Sequence, residues 1–107
     1  MYDMGIIGHP KATDTSFVVR FQCRSGTSAV PANPDSNPTF ALYATGSDTP
    51  VLTGTAASGN VNSTTGWRKL TVTPSASSLV AGGKYDLIIL YAVSSVNYSI
   101  TAQILAT

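Results

Sequence analysis

The stretch Leu79–Val93 reads LVAGGKYDLIILYAV, and its second half decides the fold. From Tyr85 onward the side chains fall into two sets. Tyr85, Leu87, Ile89 and Tyr91 share one parity; Ile88, Leu90 and Ala92 share the other. Successive side chains of a strand point to opposite faces, so a strand apolar on both parities is expected in the middle of a sheet, covered on both sides. Just upstream, Leu79-x-x-Gly82-x-x-Tyr85 has the form of a structural corner. Gly82-Gly83 supplies a tight turn and Leu79 is expected to plug the core below it. The Tyr85 hydroxyl is expected to reach back to backbone a few residues upstream and pin the crossover between two sheets.

Working outward, the same period recurs. Phe17, Val19, Phe21 and Cys23 alternate with Val18, Arg20, Gln22 and Arg24, which predicts a strand with one buried face. Pro31, Pro34 and Pro38 exclude a central strand from the loop Ser28–Pro38, because proline cannot donate to a ladder. Thr39–Thr45 is the next predicted strand, and Gly46-Ser47-Asp48 turns it. Val51–Ala57 reads as an edge strand, opened by Pro50 and interrupted by Gly54. Trp67–Thr73 follows, with Leu70 and Val72 inward. Val96–Leu105 closes the fold with Val96, Tyr98, Ile100, Ala102 and Ile104 inward. No segment of helical length carries apolar residues at i, i+3, i+4 and i+7. The sum is a single all-β domain, an antiparallel Greek-key β-sandwich over residues 17–107. Met1–Ser16, with no period of its own, is an N-terminal arm or a first edge strand. The corner and strand Leu79–Val93 resemble the matching part of immunoglobulin-like and fibronectin type III domains. That likeness implies topology and no function, and a jelly-roll-like sandwich stays open beside it.

Composition narrows the functional classes. The 107 residues allow one domain and can bury a real core. Only 10% of them are charged, there is no Glu, and the formal charge is +1. A chain so neutral has little with which to hold a phosphate backbone, so nucleic acid is not expected as a partner. The start, Met1-Tyr2-Asp3-Met4, lacks a basic region and a long apolar stretch. The longest apolar run, Leu87–Val93, is far too short to cross a bilayer, so a soluble, cytosolically made chain is expected, with no membrane partner. The sequons at Asn62 and Asn97 read as chance in a Ser/Thr/Asn-rich chain. Cys23 has no second cysteine to pair with and sits on an apolar parity, which suggests a buried, inert thiol.

Catalytic chemistry has few candidates. His9 is the sole imidazole, so a Ser-His-Asp triad could only use it, and there is no Gly-x-Ser-x-Gly elbow; a lone histidine in the arm reads more simply as a solvated or interface residue. The five aspartates, Asp3, Asp14, Asp35, Asp48 and Asp86, have no acidic neighbours in sequence. Asn33-Pro34-Asp35-Ser36-Asn37 spaces oxygen donors as calcium loops do, but lacks their glycine and distal glutamate. A proline-stiffened Asx-turn loop is the plainer expectation. Neither enzyme, metal nor cofactor is therefore expected. Trp67 and Tyr43 both fall on the parity opposite their strands' apolar residues. If exposed, they suit a sugar platform or a protein contact; the alternative is that twist tucks Trp67 away.

The arm, the low charge and the Ser/Thr/Gly-rich sandwich give the whole chain a resemblance to small structural proteins of tailed bacteriophages. Asp14-Thr15-Ser16 leading into Phe17–Gln22, then Thr39–Tyr43 and Leu79–Tyr91, prompt the likeness. It is most similar to capsid decoration (cement) proteins, with baseplate and fibre adaptor modules close behind. The resemblance implies a non-enzymatic virion protein, made in a host cytoplasm and often oligomeric, that binds and stabilises a capsid surface or another virion protein. Met4, Ile6, Ile7 and His9 of the arm, with Tyr43 and Trp67, are then the candidate interface. A carbohydrate-binding module using Trp67 and Tyr43 is the alternative from another class.

Overall fold

Period-2 alternation resolves into nine strands in the computed structural model, which describes residues 2–9, 16–74, 79, 80 and 82–106, with the backbone alone for Tyr2–His9. They are β1 (Tyr2–His9), β2 (Phe17–Gln22), β3 (Arg24–Ser25), β4 (Val30–Pro31), β5 (Thr39–Ala44), β6 (Pro50–Thr55), β7 (Trp67–Val72), β8 (Lys84–Val93) and β9 (Val96–Ala106). The larger sheet has five strands in the order β1-β9-β8-β5-β6, and β2 pairs with β7 in a second sheet. A two-residue ribbon, β3–β4, extends beyond β2. The fold is all-β, as expected, and its two main sheets share one core. Val19, Phe21, Leu70 and Val72 from one sheet meet Leu42, Leu87, Ile89, Ile100 and Ile104 from the other, all buried.

The tyrosine corner is present in atomic detail. The Val80 amide donates to the Tyr85 hydroxyl at 2.6 Å, and Leu79 is buried beneath it. Gly82 takes a left-handed φ of +81°, which an L side chain rarely adopts, and its amide donates to the Ala106 carbonyl at 2.7 Å. A second tyrosine, Tyr91, ties the core across to the start of β3. Its hydroxyl accepts from the Arg24 amide at 2.9 Å and donates to the Arg24 carbonyl at 2.7 Å. Tyr98 stacks on Tyr91 with ring centres 5.6 Å apart and accepts from the Gly26 amide. Burial raises the Tyr91 hydroxyl above the ordinary tyrosine range, against the lowering effect of its bond to Arg24 backbone.

Three readings of the sequence need correction, and one inward residue is new. Tyr2–His9 is the edge-strand alternative, and it pairs parallel to β9, so the sheet is not purely antiparallel. The side chains of Met4, Ile6, Ile7 and His9 lie outside the described residues. β8 is central, as its composition predicts, yet only its Tyr85–Tyr91 parity is buried; on the other face Leu90 is 53% exposed. Val96, expected inward, is exposed because it opens the strand beside the β8–β9 turn. Arg68 shares the inward parity of Leu70 and Val72 and is buried with them.

Candidate functional site

The uncovered face of the five-stranded sheet is built from in-register rows. Thr53, Ala41, Ile88 and Thr101 lie side by side across β6, β5, β8 and β9. Thr55, Thr39, Leu90 and Ser99 form the next row, and Pro50, Tyr43, Asp86 and Gln103 the one on the other side. The result is an apolar stripe of Tyr43, Ala41, Ile88 and Leu90 down the middle, bordered by hydroxyls, the Gln103 amide and the Asp86 carboxylate. Ile88 and Tyr43 are half-buried and Leu90 is exposed. At the edge, Gly54 lets the sheet close over Phe40: a Cβ there would lie 2.7 Å from the Phe40 ring. At one end, Tyr43, Gly46, Ser47, Asp48, Asp86 and Ile88 line an open depression of about 480 Å³. The β5–β6 turn thus brings Asp48 to the same depression as Asp86, a juxtaposition that spacing in sequence did not reveal.

Strands 4.7–4.9 Å apart, with outward residues about 6.7 Å apart along each strand, make this face roughly 20 Å by 25 Å, or about 500 Å². A standard protein interface buries about 800 Å² per partner. The face is therefore smaller than one partner's share of a standard interface.

Tyr43 and Trp67 are not neighbours. Trp67 is 36% exposed and projects from the outer face of β7, while Tyr43 projects from the outer face of the five-stranded sheet. The two aromatics lie on opposite sides of the sandwich and cannot stack on one sugar ring together.

The oxygen-rich loop spends its donors internally. The Asn33 carboxamide oxygen accepts from the Gly66 amide, and the two Asp35 carboxylate oxygens accept from the Ser94 and Ser95 amides, each at 2.9 Å. Ser94 and Ser95 both have positive φ, the two-residue hairpin geometry that suits the twist of β8 and β9, and Asp35 clamps it. Asn37 accepts from the buried Arg68 guanidinium, which also donates to the Ala57 carbonyl at 3.0 Å. Its Nε has no partner, and no carboxylate pairs with it, among the described residues. Arg68 is thus an internal strut tying the loop to β7, which sequence alone could not distinguish from a solvated arginine. Cys23 is fully buried beside it. Burial pushes the thiol up to about 11, with the Arg68 charge pulling the other way. No three His, Cys, Asp or Glu side chains converge among the described residues.

No family model, no curated protein and no solved structure matches the chain. Function must therefore be read from the faces themselves.

Proposed function

We propose that the chain is a non-enzymatic virion structural protein that docks on a capsid surface through the outer face of its five-stranded sheet and stabilises the shell. One observation carries this reading. β8 has the composition of a strand covered on both sides, and the described residues cover only one of them. An exposed Leu90 with a half-buried Ile88 and Tyr43, on a face whose other side chains are mostly threonine, with serine, Gln103 and Asp86, is a stripe that a partner would remove from water. Finishing the burial of Leu90 alone contributes about 1 kcal/mol, half the value of a fully buried leucine. The low charge and the hydrogen-bonded five-stranded sheet behind this face suit a rigid contact repeated over a lattice. Each copy that binds the assembled shell and not its dissociated subunits shifts assembly by mass action. The sugar-platform alternative loses its two-aromatic geometry with Tyr43 and Trp67 on opposite sides. The test is composition of density-banded tailed-phage particles from the producing host. The protein should be present in stoichiometric ratio to the major shell subunit; recovery only in the soluble fraction would refute the reading.

A further inference from the structure

The opposite side of the sandwich carries a different chemistry. On the outer face of β2–β7, Arg20 stands directly across from Lys69 and Gln22 directly across from Trp67. Val18 and Thr71 complete the face. Two like charges facing each other across a strand pair destabilise the free fold, and such pairs are ordinarily avoided. Here the pair persists in a chain with only six basic residues in all. Neither Arg20 nor Lys69 makes an ion pair among the described residues. The described carboxylates lie elsewhere: Asp48 and Asp86 line the depression on the other sheet, and Asp35 clamps the β8–β9 turn. Arg24 continues the same parity of the strand, its Nε donating to the Gln22 carboxamide oxygen at 2.9 Å.

We propose that this face binds an acidic polysaccharide. The indole of Trp67 would stack on the apolar face of one sugar ring, and Arg20 and Lys69 would hold that unit's or its neighbour's carboxylate or sulfate groups. The fit is chemical as well as electrostatic. Trp67 and Lys69 are two residues apart on one strand, about 6.7 Å, so the ammonium lies within reach of the anionic substituents of a ring stacked on the indole. A charge-assisted bond to an anionic group removes the Arg20–Lys69 repulsion, so the same pair that costs stability in the free chain contributes to binding. A nucleic-acid strand is the poorer fit, because a sequence-tolerant track uses several stacked aromatics and this face has one. The site is independent of the docking face and would point outward from a particle attached by the other sheet.

Trp67 is the chain's sole tryptophan, so its fluorescence reports this face without a label. Titration with polygalacturonate or dextran sulfate at low salt should change the emission saturably, and rising salt should weaken the effect. Neutral dextran should leave it unmoved. The double variant Arg20→Gln/Lys69→Gln should lose affinity at least tenfold while melting no lower than wild type. A silent tryptophan, equal response to neutral dextran, or an unchanged affinity in the double variant would overturn the proposal. Tighter binding of oligo(dT) than of either polysaccharide would also overturn it and assign the face to single strands.

Discussion

Replacing Tyr85 and Tyr91 by phenylalanine, singly, measures what holds the two sheets in register. Both rings are buried and phenylalanine keeps their packing, so each change isolates hydroxyl hydrogen bonds. Tyr85→Phe removes one bond, from the Val80 amide. Val80 is 66% exposed, so water can take over the freed N–H, and the cost should be about 1 kcal/mol. Tyr91→Phe removes two bonds, to the amide and the carbonyl of Arg24. Those groups are partly enclosed by the β3–β4 ribbon and the Tyr98 ring, so the cost should be about 2–3 kcal/mol. At roughly 4 °C per kcal/mol for a domain of this size, the melting temperatures should fall by about 4 °C and about 10 °C. Calorimetry and urea titration at pH 7 read both. Equal losses for the two variants would refute the bond count, and a Tyr85→Phe protein melting with wild type would refute the corner.

Two smaller perturbations probe the loop and the thiol. Asp35→Ala should cost about 2 kcal/mol, because two charge-assisted bonds to the Ser94 and Ser95 amides are lost, and EDTA should leave the wild-type melting temperature in place. A large fall in EDTA would make the loop a metal site instead. For Cys23 the folded thiol titrates at about 11 against 9.0 in its ordinary state, so the native form holds its proton more tightly. That stability is fully present below pH 9 and is lost as pH rises toward 11. Urea midpoints should therefore fall more steeply over that window for wild type than for Cys23→Ala, and parallel curves would show an accessible thiol.

Strand alternation, the corner and the edge position of β6 were legible in the sequence because each depends on local residue type: period, glycine, proline. The ribbon-clamping role of Tyr91, the strut Arg68 and the parallel pairing of β1 were not, because each depends on what a distant segment brings. Arg68 illustrates the limit. Its neighbours Trp67 and Lys69 face solvent, and only the carboxamide of Asn37 and the carbonyl of Ala57, from other loops, make an inward guanidinium tolerable. The outer face of the five-stranded sheet lay between these cases. Its apolar residues were plain in Ile88 and Leu90, but their reading as doubly covered assumed that the chain itself would supply the cover.

The most direct measurement sets Leu90→Asp on the outer face of β8 against Val18→Asp on the outer face of β2, two exposed positions on opposite sides of the sandwich. Both proteins are melted, then each is added to shells stripped of the native chain and its occupancy quantified after density banding. Leu90→Asp should melt within a few degrees of wild type yet lose occupancy by at least tenfold, since a carboxylate would be buried against the shell without a partner. Val18→Asp should bind as wild type does. Full occupancy of shells by Leu90→Asp, or its unfolding in solution, would contradict an exposed docking face on the five-stranded sheet.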